Sequence, residues 1–175
     1  MEPARLLAQF AQFEKRAIFL YRAFAQRFAA QPALSALWRE MSDVEAAHFA
    51  ILTLAGETVQ GDRALAQTAA TFDPQAVEVT DRALADAEGR ARAGTITAGE
   101  AVELALALES GELPRIEDLL AWLPPRALAS VREAVTGPLE GHFTCLARIA
   151  ELSGRADLAA EIAGLRAKAQ ALRDR

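Results

Sequence analysis

The hydrophobic positions of this chain recur in alternating steps of three and four residues, the spacing expected for one face of an α-helix. From Pro3 to Ala29 they form the seam Leu6, Phe10, Phe13, Ala17, Leu20 and Phe24. A second seam predicts a helix from Pro32 to Leu54, with Gly56 as its C-terminal cap. The connection between the two helices is so short that they should pack as antiparallel neighbours.

The segment from Glu57 to Thr97 has a weaker pattern. Asp73-Pro74 is typical of an N-cap followed by a first helical turn, and residues 76–92 then predict a connecting helix. Thr97, followed three residues later by Glu100, has the spacing of a capping box at the start of the next helix. A connection of this length can cross a bundle from end to end, so the helices before and after it can run parallel.

Two further long helices follow the connection. The third is predicted to start at Ala98 and contains Pro114, which should kink it because proline removes a backbone hydrogen bond. The fourth is predicted to start at Pro124-Pro125 and to bend at Gly137-Pro138. A shorter C-terminal helix over residues 155–173 should pack outside the other four or against another subunit.

These elements predict an all-α chain with one domain, residues 1–175, whose core bundle covers about 3–153. A length of 175 residues suits a single core. Apolar residues make up 52% of the chain and are mostly Ala and Leu, which favours helix. No apolar run reaches the length of about 18 residues that a membrane span needs. The N-terminus shows no basic region followed by an apolar block, so we expect no membrane association and a cytoplasmic location.

Charge and cysteine content exclude several kinds of site. The net charge is −5 and the basic residues are dispersed, which argues against nucleic-acid binding. The single cysteine, Cys145, rules out an internal disulfide and a Cys-x-x-Cys metal site. Its apolar neighbours predict a small core side chain rather than a nucleophile.

Ionisable residues interrupt the apolar seams at corresponding places in the two halves of the chain. Glu14 lies on the first helix, and the pair Glu45 and His48 shares one face of the second. Glu109 lies on the third helix and His142 on the fourth. Because an unpaired buried charge is costly, this repetition suggests one shared polar site. Taken singly, His48 is explained by a hydrogen-bonded core histidine, and Glu14 by an exposed charge cluster.

The residue types match a known kind of metal centre. Di-iron and di-manganese sites in helical bundles use one Glu from each of two helices and a Glu-x-x-His pair from each of two others. The chain supplies five of those six ligands, namely Glu14, Glu45, His48, Glu109 and His142. Carboxylate oxygens and imidazole nitrogens are ligands that suit such ions.

Three segments carry a family resemblance. They are FEKRAIFLY at residues 13–21, DVEAAH at residues 43–48 and LALE at residues 106–109. With this order and spacing, the chain resembles the rubrerythrin branch of the ferritin-like superfamily over about residues 5–152. The resemblance implies a ferritin-like four-helix bundle with a long crossover between helices two and three, and here an extra C-terminal helix.

The resemblance also implies a chemistry. It implies two iron ions, or one, with manganese as an alternative, and the reduction of peroxide or dioxygen. In this family the third helix can supply two carboxylates three residues apart, which makes Glu112 a further metal ligand beside Glu109. Tyr21 is the catalytic candidate, because it can hydrogen-bond a ligand carboxylate. A homodimer or larger homo-oligomer is expected.

Two departures from the family pattern limit that expectation. The residue three before His142 is Leu139 rather than Glu, and Glu140 follows one place later. On a regular helix Glu140 points away from His142, but a π-bulge or kink at Gly137-Pro138 would turn it inward, which keeps it as a candidate ligand. A single cysteine also excludes a rubredoxin-type iron site, so electrons must come from an external donor.

Two other functions remain open. In a non-catalytic bundle serving as a scaffold or binding module, arginines would pair with the buried carboxylates; the candidates are Arg22, Arg39, Arg115 and Arg148. A third reading is ferroxidase activity with iron storage in a larger assembly, with which the C-terminal helix is compatible.

Overall fold

The computed structural model describes residues 3–61, 74–122 and 135–174, and all regular secondary structure in these ranges is helical. The predicted all-α class is therefore confirmed. The helices are α1 (Pro3–Arg27), α2 (Pro32–Gly61), α3 (Pro74–Ala93), α4 (Ala98–Trp122), α5 (Leu139–Leu152) and α6 (Ala159–Arg173), with a 3₁₀ turn at Ala156–Leu158 between the last two. No helix in the described ranges combines the length and apolarity needed to cross a membrane.

The predicted end of the second helix is wrong. Helix α2 does not stop near Gly56 but continues to Gly61. Gly56 is buried, and a Cβ at this position would lie 3.8 Å from Cβ of Leu7 on α1. Packing against α1 thus outweighs the weak helix propensity of glycine. The predicted helix starts at Asp73 and Pro124 lie outside the described residues.

Two buried serines show how α1 and α2 run. Ser35 donates its hydroxyl to the carbonyl of Ala25 at 2.8 Å, and Ser42 donates to the carbonyl of Ile18 at 3.2 Å. The partner on α1 moves backward as the position on α2 moves forward. The two helices are therefore antiparallel, and the small serine side chains bring their backbones close together.

Contacts between α1 and α4 give the direction of the next long helix. Tyr21 contacts Glu109, whereas Phe10 lies beside Arg115. Helix α4 is therefore antiparallel to α1, and it runs in the same direction as α2. The long connection between α2 and α4 makes this parallel arrangement possible.

The start of α4 is fixed by the predicted capping box. The backbone N–H of Thr97 donates to Oε2 of Glu100 at 2.8 Å, and the N–H of Glu100 donates to Oγ1 of Thr97 at 3.3 Å. Arg90 of α3 also binds the Glu100 carboxylate, at 2.7 Å. Helix α3 therefore joins α4 at this end, and at its other end Thr80 contacts Arg115. Pro114 lies inside α4, as the sequence indicates.

Helix α5 packs against α2, α4 and α6. It begins at Leu139, directly after a turn at Gly137-Pro138, and the N–H of His142 donates to the Pro138 carbonyl at 3.1 Å. The thiol of Cys145 donates to the carbonyl of Leu37 on α2 at 3.3 Å. Helix α6 packs against α5 and α4. The sequence predicts a bend within a helix at Gly137-Pro138, and the structure has a turn there.

Candidate metal centre

Four helices bring six ionisable side chains to one buried place. None of the six is more than 6% exposed. We call this group the carboxylate–histidine cluster; it consists of Glu14 from α1, Glu45 and His48 from α2, Glu109 and Glu112 from α4, and His142 from α5. The structure thus assembles all the candidate metal ligands predicted from the sequence except Glu140.

Three overlapping triads within the cluster bring their potential ligand atoms close enough together to hold a metal ion. In each triad one ligand atom from every residue lies within 4.8 Å of the others. The triads are Glu45 with His48 and His142, Glu14 with His48 and Glu112, and Glu109 with Glu112 and His142. Because the triads share members, the six residues form one continuous centre rather than three separate sites.

Glu45 lies between the two imidazole rings. Its Oε2 is 3.3 Å from Nδ1 of His48, and its Oε1 is 3.2 Å from Nε2 of His142. The carboxylates of α4 flank the same nitrogens. Glu112 Oε1 is 3.2 Å from His48 Nδ1, and Glu109 Oε1 is 3.2 Å from His142 Nε2. Each of these two nitrogens therefore faces two carboxylates.

These approaches are not well-formed hydrogen bonds. All four ring nitrogens of His48 and His142, together with Oε2 of Glu45, are buried polar atoms without a hydrogen-bond partner of acceptable geometry in the described part of the chain. Buried polar groups in folded proteins are normally satisfied. A cation among these atoms would use the lone pairs that the protein leaves unused, so the donor set fits a metal.

Burial and mutual repulsion oppose the ionisation of two of the carboxylates. The pKa of Glu14 is raised well above its usual range by desolvation and by the charges of Glu112 and Glu45. Desolvation also raises the pKa of Glu109 to about 7, although His142 acts against this shift. Four carboxylates cannot all remain charged in a dry core without compensating positive charge.

The imidazoles provide part of that compensation. Desolvation alone would lower the pKa of His48 and His142, but Glu112 and Glu109 respectively outweigh it and raise both pKa values well above the usual range. Burial likewise opposes ionisation of Glu45, yet His142 and His48 lower its pKa. Without metal, the cluster is therefore rich in protons, and these occupy the atoms that a cation would bind.

The predicted neighbour Tyr21 contacts the cluster directly. Its phenol donates a hydrogen bond of 2.5 Å to Oε1 of Glu109, and the ring is fully buried. On its other side the ring packs against Trp38, with 5.5 Å between ring centroids. Desolvation and the charge of Glu109 raise the pKa of Tyr21 well above its usual range. Tyr21 therefore remains a neutral donor that orients the Glu109 carboxylate.

The prediction that Glu140 joins the site is wrong. Glu140 is exposed, and Arg166 of α6 donates a hydrogen bond of 2.5 Å to its Oε1. Helix α5 is α-helical from Leu139 onward, so no π-bulge turns the Glu140 side chain toward His142. The place three residues before His142 belongs to Leu139, which is completely buried.

Within the ranges that the structure describes, none of the four arginines considered as carboxylate partners forms an ion pair with the cluster, whose close partners are its own histidines. Arg22, Arg39 and Arg148 are exposed. Arg115 is buried and lies near the cluster, where its charge lowers the pKa of Glu14 against the dominant effect of burial. Its guanidinium donates a hydrogen bond of 2.8 Å to the hydroxyl of Thr80 on α3. The sequence analysis predicts Arg115 only as a possible carboxylate partner, and it gives no sign that Thr80 is its hydrogen-bond acceptor.

The cluster combines hard oxygen ligands with imidazole nitrogens. Its four carboxylates can offset the charge of two divalent cations, and its two histidines can complete their coordination. Comparison of the chain with protein-family models, with curated proteins and with solved structures finds no significant match in any of the three. Any assignment of function therefore depends on the chemistry of this site.

Proposed function

We propose that the carboxylate–histidine cluster binds two divalent metal ions, with iron as the redox-active metal for the reduction of peroxide or dioxygen. The observation that carries the proposal is the set of buried, unsatisfied imidazole nitrogens, each ring facing two carboxylates. A dry cluster of four carboxylates is costly unless cations neutralise it.

The helix arrangement supports a ferritin-like bundle of the rubrerythrin type as the architecture of this centre. The four helices α1, α2, α4 and α5 each contribute ligand candidates. The antiparallel pair α1 and α2, followed by α4 parallel to α2, agrees with a long crossover connection. Glu112 also takes over a charge that the expected Glu at position 139 would have supplied.

Bound iron would supply the electron transfer to peroxide or dioxygen. The chain's own residues hold and orient the site. The carboxylates fix the ions, Tyr21 holds Glu109 in one orientation, and apolar side chains exclude bulk water. Two cavities of about 20 Å³ adjoin the cluster, and since one water needs about 10–15 Å³ of such volume, each has room for one or two water-sized groups. A ligand of two oxygen atoms is therefore in the right size range. These 175 residues contain a single cysteine and so no four-cysteine iron site, and we propose that the electrons come from an external donor.

A metal-free scaffold is the second candidate. The approaches of 3.2–3.3 Å between the histidines and the carboxylates favour it, because protonated imidazoles could pair with the carboxylates and balance the core internally. In that case the cluster would contribute to the fold alone.

The metal content of the purified protein distinguishes the metal centre from the metal-free scaffold. The protein should be expressed with iron supplied, and bound metal measured per chain before and after dialysis against a chelator. Two ions per chain, together with a higher unfolding temperature of the loaded protein, would support the metal centre. A protein that stays metal-free at every iron concentration, and whose stability does not change in chelator, would support the scaffold.

Single substitutions test whether the metal binds at the carboxylate–histidine cluster. Glu45→Gln removes the carboxylate that faces both rings and should lower metal content, as should His48→Ala. Glu140→Gln is the matched control, because this carboxylate is exposed and bonded to Arg166. Equal metal loss in Glu140→Gln and Glu45→Gln would show that metal binds elsewhere.

A further inference from the structure

Arg115 is a buried cation that the metal centre does not use. The residue is only 7% exposed, and its guanidinium lies over the rings of Phe10 and Phe13, at 5.8 and 5.6 Å from their centroids. Among the described residues it forms no ion pair with a carboxylate, and its hydrogen bond goes to the neutral hydroxyl of Thr80. A buried guanidinium with aromatic and hydroxyl neighbours is only partly compensated.

Among the residues that the structure describes, the charge count of the loaded centre leaves Arg115 without a counter-charge. Four carboxylates and two divalent cations balance one another, and the two histidines bind metal as neutral ligands. The guanidinium then adds one positive charge to a buried region. One monovalent anion would restore neutrality.

The space beside Arg115 has the right size for such an anion. The two cavities of about 20 Å³ both reach Arg115, Glu14 and Glu112. The first is otherwise mostly apolar, with Phe10, Ile51, Leu52, Ile116, Leu119 and Val135 in its wall. A ligand in either cavity would touch the guanidinium and the ligand carboxylates of the metals together. Only ligands of a few heavy atoms fit.

We propose that Arg115 makes the metal-loaded centre select small monovalent anions, such as hydroperoxide or formate, which bind between the guanidinium and the metals. The inference rests on the proposed metal centre and deepens it by naming the ligand class. Arg115 acts as a specificity-determining residue, because its planar fork can donate two hydrogen bonds to one anion.

Cobalt(II) provides a test without turnover, since its visible absorption reports changes in coordination. The loaded wild-type protein should be titrated with formate and with formamide, which match in size but differ in charge. We expect one formate per two cobalt ions, and formate binding at least about tenfold tighter than formamide. Arg115→Met should weaken formate binding about tenfold or more, with Arg115→Lys intermediate.

Arg16→Met is the control, because Arg16 lies on α1 near the cluster in sequence but pairs with Asp81 and Glu88 on α3. Formate affinity that is equal in Arg115→Met and the wild type, at full cobalt occupancy, would overturn the inference but leave the metal centre standing. Should Arg115→Met fail to fold, equal affinities of formate and formamide for the wild type would overturn it as well. A wild type that binds no cobalt, iron or manganese would overturn the proposed function and this inference together.

Discussion

The phenol of Tyr21 lies 2.5 Å from Oε1 of Glu109, which joins the C-terminal half of α1 to the middle of α4 across 88 positions of sequence. The same carboxylate oxygen is 3.2 Å from Nε2 of His142. Glu109 therefore accepts a hydrogen bond from Tyr21 while the same oxygen faces His142, and the tyrosine fixes the orientation that the carboxylate presents to the centre.

Replacing Tyr21 by Phe should weaken metal binding more than it weakens the fold. The change removes one hydrogen bond, which is worth about 1 kcal/mol of unfolding free energy in the metal-free protein. Losing a partner that orients a ligand typically lowers metal affinity by about 10- to 100-fold. Competition with a chelator measures the affinity, and denaturant unfolding measures the stability.

Phe24→Leu is the control for the Tyr21 variant. The ring of Phe24 packs beside both Tyr21 and Trp38, with 6.2 Å and 4.9 Å between the respective ring centroids. This variant should lose stability through packing and keep its metal affinity. A Tyr21→Phe protein with wild-type affinity would contradict the orienting role of the phenol.

The metal-free protein should become less stable as the pH rises from about 5 to 8. Glu109, with its pKa raised from 4.5 to about 7, keeps a proton in the folded state that the unfolded chain has already lost. The raised pKa values of His48 and His142 act in the same direction above 6.5. The folded state thus binds more protons in this window, and the free energy of unfolding falls with pH.

Metal binding should show the opposite dependence. The ligands must lose their protons, so affinity rises with pH and uptake releases protons into a weakly buffered solution. Thermal unfolding of the metal-free protein, measured at several pH values, tests the first trend, and proton release on metal addition tests the second. Glu109→Gln should flatten the stability curve between pH 4.5 and 7. An unchanged curve would show that Glu109 titrates as an ordinary carboxylate.

Local signals in the sequence predicted the helical class and several of the helix bounds correctly. Apolar periodicity gave the helical class, and the Thr97 and Glu100 spacing gave the start of α4, because both depend on neighbouring residues. The end of α2 was missed because Gly56 packs against Leu7, which lies far away in sequence. Contacts of that kind are not visible in a local pattern.

The site divides in the same way. Helical spacing placed Glu45 and His48 together, because they share one turn of α2. Helical spacing alone does not tell whether the Glu140 side chain points toward the cluster. That depends on whether the turn at Gly137-Pro138 distorts the first turn of α5. The hydrogen bond from Arg115 to Thr80 joins α4 to α3. It was not predictable from residue spacing, because spacing within one helix says nothing about which residues of another helix lie beside it.

Thr97→Ala should destabilise the protein without touching the metal centre. The substitution removes the side-chain acceptor for the N–H of Glu100 and leaves that carboxylate with Arg90 as its remaining side-chain partner. Loss of such an N-cap costs about 1 kcal/mol. Denaturant unfolding checks the loss. Thr95→Ala, in the same exposed loop, should be nearly neutral, and an equal loss in both variants would mean that the cap contributes nothing.

Cys145 should be inert toward thiol reagents in the native protein. Burial raises the pKa of its thiol to about 12, so almost no thiolate is present at pH 8. A colorimetric thiol assay should detect no cysteine before denaturation and one per chain afterwards. Rapid native labelling would show that α5 opens away from the Leu37 carbonyl, to which the thiol donates.

Leu139→Glu tests whether position 139 faces the centre. Leu139 is completely buried and lies three residues before His142, which makes it the neighbour of that histidine on one face of α5. A carboxylate there should destabilise the metal-free protein by about 3 kcal/mol or more, because it adds a fifth acid to a dry cluster. Metal should restore much of that loss, since the added carboxylate can bind it. Leu139→Gln is the control, because it is equally polar but cannot neutralise a cation. Metal-dependent recovery of both variants to the same unfolding temperature would show that position 139 faces away from the ions.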